Sequence, residues 1–115
     1  MPYGIYQVIN IKNKEFTMAE LWAVDGDPNT DGGGGLIPDH ASTVYVNNKL
    51  VIVHGPDHAN PDDSCIPAGP PHCDPMTDGG SGTVFCYGFA VHRNNDPRVC
   101  GATTVVVGQS TVFVG

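Results

Sequence analysis

The sequence predicts a small all-β domain made of three similar units. Gly and Pro account for 15 and 10 of the 115 residues, so few stretches could sustain a helix. Short runs rich in Val, Thr and aromatic residues, each bounded by Gly, Asn or Pro, are typical of strands. A small residue followed by Thr-Val-aromatic occurs three times, with its threonine at Thr43, Thr83 and Thr111. At this length the chain is one domain, residues 1–115.

The repeat extends beyond these triplets. An acidic turn containing Asp27, Asp57 or Asp96 belongs to each unit, and the pattern recurs with a period of about 28 residues. Three such units cannot bury a face alone, but they can if they wrap round a common axis. We therefore expect a short-stranded, three-sided body with pseudo-threefold internal repeats, whose narrow end is made of turns.

Two segments depart from the repeat. Residues 1–20 form a divergent N-terminal segment before the repeat region 21–115, and "YQVINI" and "KEFTMAELWAV" predict a strand pair or a short helix. The middle unit is lengthened by "HANPDDSCIPAGPPHC", which carries two of the five histidines and two of the four cysteines. Because His and Cys are the usual zinc ligands, this insertion indicates a metal site.

Composition excludes several classes of partner. A net charge of −7 disfavours non-specific binding to nucleic acid or anionic lipid. No cationic start followed by an apolar run marks a secretory signal, and no apolar run is long enough to span a bilayer. We therefore expect synthesis in a cytoplasm. Four cysteines in that compartment favour thiols or metal ligands over disulfides.

The C-terminal half resembles a PAAR-repeat protein. The resemblance rests on Gly80 to Phe85 for the family's strand, Arg93 for the arginine of the name-giving motif, Asn95-Asp96 for Gly-Asp, and Cys100-Gly101 for the Cys-Gly turn. The middle turn is similar to the family's longer form, and Asp31 stands near a histidine expected in the first turn. The name-giving motif is degraded in every copy, and the resemblance covers residues 21–115.

This resemblance implies a three-sided cone that caps the blunt end of a trimeric β-helical spike, one tip per trimer. The spike belongs to a contractile injection system, either a phage tail or a type VI secretion system, and its tip is tied by one metal ion. The implied location is the spike tip of a virion tail or baseplate, or a secreted tip that leaves by a signal-less injection apparatus. The tip would breach the target cell's outer membrane mechanically, without a small-molecule substrate.

The expected metal ligands are His58 and His72 in the lengthened middle unit and Cys100 in the third turn, so that one ion would tie these two turns together. His40 is the expected fourth ligand, with Asp31, Cys65 and Cys73 as alternatives. The expected ion is zinc, with iron as the alternative if a carboxylate completes the site. His54 and His92 are expected to be structural, and Cys86 is expected to be a core thiol. A Cys65–Cys73 disulfide formed after export is a further option that the spacing does not predict.

Two other functions compete with the spike tip. The first is a free-standing small metal-binding or redox module with another protein partner, and the second is a disulfide-stapled secreted binder, which the missing signal disfavours. An enzyme is not expected, because the chain shows no nucleophile motif and little length from which to build a pocket. The glycine run before Leu36 is not a phosphate loop, since no Lys-Ser/Thr follows it.

Overall fold

A computed structural model describes residues 19–40, 43–61 and 73–115, and these ranges contain β-structure and turns but no helix. The strands are shorter than the sequence patterns suggest, at two residues each. In chain order they are β1 (Glu20–Leu21), β2 (Leu36–Ile37), β3 (Tyr45–Val46), β4 (Lys49–Leu50), β5 (His58–Ala59), β6 (Phe85–Cys86), β7 (Phe89–Ala90) and β8 (Phe113–Val114). All pairings are antiparallel.

Three antiparallel strand pairs occupy equivalent places in the three repeats. Strand β3 pairs with β4 and β6 pairs with β7, each through a tight turn. Asn47 and Asn48 in one turn, and Tyr87 and Gly88 in the other, have positive φ, as a two-residue type I′ turn requires. The third pair is β8 with β1, two strands from opposite ends of the described sequence. No turn joins them directly, but because they are equivalent to the other two pairs we call them the third hairpin. Part of the segment predicted as a strand pair or short helix is therefore strand, while residues 1–18 lie outside the described ranges.

A closed ring of hydrogen bonds joins the three repeats. Ile52 donates its N–H to the carbonyl of Ala23 at 3.0 Å, His92 donates to Ile52 at 3.1 Å, and Ala23 donates to His92 at 3.0 Å. Each repeat thus accepts a backbone hydrogen bond from the next repeat, and the last repeat accepts one from the first. We call the segments 22–24, 51–53 and 91–93 the first ring; the cycle is the pseudo-threefold arrangement expected from the repeats.

The acidic residue of each repeat closes the turn that follows the first ring. One carboxylate oxygen of Asp27 accepts the backbone N–H of Val24 at 2.8 Å. Asp57 accepts that of Val53 at 2.7 Å, and Asp96 that of Arg93 at 2.8 Å. All three aspartates are buried. A buried carboxylate is tolerated because backbone donors satisfy it, which explains why an acidic residue recurs here.

A second ring follows the aspartates, made by pairing β2 with β5, Asn29 with Thr104 and Thr77 with Arg98. From this second ring the chain leaves at three places. Residues 30–35 form the first turn and 99–103 the third; residues 60–61 and 73–75 are the described ends of the middle connection, which we call the second turn. Among the described residues, the core between the elements consists of two small apolar clusters. The first contains Ala23, Leu36, Ile52, Ala59 and Val106, and the second contains Val24, Val51, Val53, Cys86 and Val91. Cys86 is a core residue, as expected.

Candidate functional site

The aromatic residue of each Thr-Val-aromatic triplet is exposed to solvent. Tyr45 is 59% exposed, Phe85 is 60% exposed and Phe113 is 58% exposed. They begin the three equivalent strands β3, β6 and β8, so the threefold ring relates them. We call these three residues the aromatic rim. Large apolar side chains exposed in a repeated pattern indicate a contact surface for another molecule.

Local hydrogen bonds hold the strands of the rim in place. The Ser81 hydroxyl accepts the backbone N–H groups of Thr83 and Val84 at 3.0 and 2.8 Å. In the third repeat the side-chain oxygen of Gln109 accepts the equivalent N–H groups of Thr111 and Val112. The amide of Gln109 also donates to the carbonyls of Trp22 and Val112, both at 2.9 Å. These bonds order the segments before β6 and β8, so Phe85 and Phe113 are presented by a fixed backbone.

Tyr87 extends the exposed aromatic surface beside the rim. It occupies the apex of the β6–β7 hairpin with φ of 56°, a conformation that is costly for a bulky residue, and it is 54% exposed. Its hydroxyl lies 3.2 Å from the Thr43 hydroxyl, and its ring meets that of His40 edge to face. Asn or Gly would suit this turn better, so the sequence accepts local strain to place an aromatic residue here.

His58, an expected ligand, lies at the start of β5 and contacts two acidic residues. Its Nδ1 is 2.7 Å from a carboxylate oxygen of Asp74, and its Nε2 is 3.8 Å from one of Asp39. The His58 side chain is about one-quarter exposed, whereas both aspartates are mostly exposed. Nδ1 of His58 is therefore bonded to a carboxylate, and Nε2 remains its available metal-binding atom.

Cys100, another expected ligand, lies in the third turn and is half-buried without a disulfide. The second and third turns are adjacent at this point, because Val99 donates its N–H to the carbonyl of Met76 at 2.9 Å. Met76 also forms a β-bridge with His58. The segments that carry His58 and Cys100 therefore flank the same extended segment at Met76, which the sequence did not reveal.

His40, the expected fourth ligand, is engaged elsewhere. Its Nδ1 lies 2.9 Å from the buried carboxylate of Asp57, and its Nε2 is buried without a hydrogen-bond partner in the described part of the chain. In the other two repeats a glycine, Gly80 or Gly108, stands at this position of the triplet pattern. Gly108 reaches Asp27 with its backbone N–H at 2.8 Å. The imidazole of His40 reaches the equivalent carboxylate of Asp57 with a side-chain atom.

One cysteine differs from the expectation of thiols or metal ligands, whereas Cys86 and Cys100 are thiols, as expected. Cys73 is in a disulfide, which corrects that prediction and removes Cys73 as an alternative thiolate ligand in this state. Cys65, the other alternative cysteine, and His72 lie outside the described residues. Within residues 19–40, 43–61 and 73–115 no three His, Cys, Asp or Glu side chains are grouped closely enough to hold a metal ion. The ligand set His58, His72, Cys100 and His40 stays a prediction.

A buried polar network at the first ring was missed by sequence reasoning. His92 is fully buried; its Nδ1–H donates to the carbonyl of Gly79 at 2.7 Å, and its Nε2 lies 2.7 Å from the Thr104 hydroxyl. Arg98, also buried, donates from Nε to the same hydroxyl at 3.0 Å, and from its other nitrogens to the carbonyls of Asp27 and Gly34. No local pattern marks such a network, because its members come from separate turns.

Burial lowers the pKa of His92 from 6.5 to about 4, with the nearby Arg98 adding to this effect against the opposing bond to Gly79 and the charge of Asp96. His92 is therefore neutral near pH 7. Since a carbonyl can only accept, the proton lies on Nδ1, and the Thr104 hydroxyl donates to Nε2. His92 is structural, as expected, and each of its nitrogens has a partner.

Neither the protein-family models nor the curated proteins searched include a match to this chain. In the described ranges, no helix has the length and apolar character needed to cross a membrane.

Proposed function

We propose that this chain is a structural cap for a threefold-symmetric protein, most simply the tip of a trimeric β-helical spike in a contractile injection system. The observation that carries this proposal is the aromatic rim, Tyr45, Phe85 and Phe113, on three strands related by the closed hydrogen-bond cycle. A monomer with three equivalent contact strands can meet three identical chains at once. Each hairpin is a two-stranded sheet in the described ranges, so a partner strand can extend it by β-augmentation.

The proposed body is a cone with the rim at its base and the three turns at its tip. Along the chain, each repeat passes from hairpin to first ring, aspartate turn, second ring and the turn that follows it. This order supports placing hairpins and turns at opposite ends. A phage tail spike is the favoured machine and a type VI secretion spike is the other, and in both the tip would pierce the outer membrane of a target cell mechanically.

One zinc ion, with iron as the alternative, is part of this proposal. His58, His72 and Cys100 are its proposed ligands, with His40 as the fourth. The second and third turns are adjacent at Met76, which supports His58 and Cys100 as ligands of one ion. A bound zinc would cross-link turns that have little core beneath them. Native mass spectrometry of the purified chain tests this: one zinc or iron per chain is expected, and a metal-free mass after zinc addition would rule it out.

The decisive experiment is co-purification with the trimeric β-helical spike protein encoded by the same genome. Native mass spectrometry should show one cap per spike trimer. Replacing Phe85 and Phe113 by Ser should weaken that complex at least tenfold, because buried aromatic anchors carry much of the energy of an interface. Val107→Ser is the matched control, since Val107 is 69% exposed and lies outside the rim.

Two outcomes would contradict the cap. Three caps per trimer would show that each spike chain binds its own copy, which the internal repeat does not need. An unaltered complex after both rim substitutions would place the contact elsewhere. If the chain binds no spike, the alternative is a free-standing metal-binding or redox module, for which the disulfide at Cys73 is the supporting observation.

A further inference from the structure

The hydrogen-bond register of each hairpin decides which way the rim residues turn their backbone groups. One bond closes each hairpin next to the first ring, from the N–H of Val51 to Val44, of Val91 to Val84 and of Trp22 to Val112. In an antiparallel pair of strands, hydrogen-bonded residue pairs alternate with non-bonded ones. The next pair in each hairpin contains a rim residue: Tyr45 with Leu50, Phe85 with Ala90 and Phe113 with Leu21. The N–H and C=O groups of the rim residues therefore point away from their own hairpins.

The other strand of each hairpin also turns its carbonyl outward, and there the carbonyl is in use. The carbonyls of Leu50, Ala90 and Leu21 accept the N–H groups that directly follow the first-ring segments, those of Asp25, His54 and Asn94, at 2.8, 2.7 and 2.8 Å. On the rim side, the outward groups have no hydrogen-bond partner within residues 19–40, 43–61 and 73–115. One edge of each hairpin is thus joined to the body, and the edge with the aromatic residue is open.

The open edges of β6 and β8 are short, because side chains close one end of them. The Ser81 hydroxyl accepts the N–H of Thr83, and the side-chain oxygen of Gln109 accepts that of Thr111. At the other end of the β6 edge the chain turns at Tyr87 with positive φ. Since alternate residues of a strand point their backbone groups to the same edge, only a segment of about three residues can pair there.

Chemical likeness separates the open edges from the opposite strands. All three open edges carry an aromatic residue. The exposed or half-buried residues beside them on the opposite strands are a cation, a ring and a carboxylate, namely Lys49, Phe89 and Glu20. A partner made of three identical chains presents the same groups to every repeat. No single group complements all three of those residues, whereas an extended backbone complements all three open edges.

We propose that the trimeric partner binds the open edges of β3, β6 and β8, each of its chains adding one short extended segment to the backbone of a rim residue. The strands that carry Lys49, Phe89 and Glu20 stay outside the contact. This inference rests on the proposed cap function and locates its contact. A second copy of this chain would pair with one edge and leave two open, so a threefold partner fits better.

Amide hydrogen exchange followed by NMR tests the open edges on the full chain. In the free protein, the amides of Tyr45, Phe85 and Phe113 should exchange roughly tenfold or more faster than that of Val91, which donates to Val84. They should become protected when the trimeric β-helical spike protein encoded by the same genome is added. Slow exchange of the three rim amides in the free protein would overturn the inference, as would unchanged exchange in the complex.

Backbone substitution tests the contact itself. Ligation at Cys100 allows residues 100–115 to be synthesised with an ester in place of the Phe113 amide, which removes the N–H and keeps the ring. Affinity for the spike protein should fall roughly fivefold, the size of one hydrogen bond. An ester at Val112 is the matched control. Its N–H is bonded to Gln109 at 2.9 Å, so this change should lower stability and not affinity.

The substitution Lys49→Glu should change affinity by no more than about twofold, because this residue lies outside the proposed contact. A larger loss, or equal affinity of the Phe113 ester and the all-amide protein, would overturn the inference. If the all-amide chain binds no spike, the cap function fails. If it binds but ignores the ester, only the open-edge contact fails. A dimer of this chain that the Phe113 ester abolishes would assign the edge to a second copy and reject the trimeric partner there.

Discussion

Acidification should destabilise this protein through His92. The pKa of His92 is lowered from 6.5 to about 4 in the folded protein, mainly by burial. Between those values the unfolded chain binds a proton that the folded protein does not, so the free energy of unfolding falls as the pH falls. The stabilisation is complete above pH 6.5 and lost by about pH 4.

The size of the effect follows from the shift. A difference of this size corresponds to roughly 3 kcal/mol in total, of which about 2 kcal/mol is lost between pH 7 and pH 5. The structure supplies the reason. A protonated imidazole would face the Arg98 guanidinium, and its Nε2–H would point at the Thr104 hydroxyl, which already accepts from Arg98.

Urea unfolding at pH 7, 6 and 5, on the wild type and His92→Gln, measures this contribution. Gln keeps polar atoms at the site without titrating, so the wild type should lose about 2 kcal/mol more than the variant over this range. NMR of the wild type provides an independent check, since it should show His92 as a neutral Nδ1–H imidazole at pH 5. Titration of His92 near 6.5, or equal pH dependence of both proteins, would refute the reasoning.

Two further substitutions test the packing that presents the rim, each against a neighbour. Gly80→Ala should lower the free energy of unfolding by about 1–3 kcal/mol, because the added Cβ would lie 2.6 Å from the Val91 carbonyl oxygen. Gly82→Ala is the control, since its Cβ meets nothing within 4 Å, and equal melting temperatures of the two variants would contradict this reasoning. Gln109→Ala should lower the free energy of unfolding by about 2 kcal/mol, measured by heat or urea, because buried backbone groups lose their partners. The exposed Ser110→Ala should be nearly neutral, and a neutral Gln109→Ala would show that water replaces the amide.

The expected all-β fold is confirmed, and the threefold repeat was readable because its signals are local. A Thr-Val-aromatic triplet favours a strand wherever it occurs, and Asp27, Asp57 and Asp96 each close a turn by bonding an N–H three or four residues earlier. Contacts this short in sequence leave a pattern that repeats along the chain. The exposure of the aromatic residues was not readable, since the alternation of a strand does not say which of its faces is covered.

The candidate metal site was less predictable from sequence. The spacing predicted that His40 lies near a strand. Its bond to Asp57, however, depends on how the segment before β3 packs against the turn before β5. The disulfide at Cys73 departs from the thiol expected from the compartment, although a disulfide formed after export had been an option. Histidine and cysteine serve as ligands, buried hydrogen-bonding groups or disulfides according to their neighbours, and those neighbours are distant in the chain.

The sequence by itself determined the strand-and-turn repeat and the place of the acidic turns. The tertiary structure alone decided that β8 pairs with β1 to complete the third hairpin, that His92 and Arg98 share a buried network, and that the second and third turns meet at Met76. Each of these depends on contacts between segments far apart in the chain. Such contacts form because closing the ring gives hydrogen-bond partners to the backbone groups of all three repeats together. The residues of a single repeat do not show whether the other two will provide those partners.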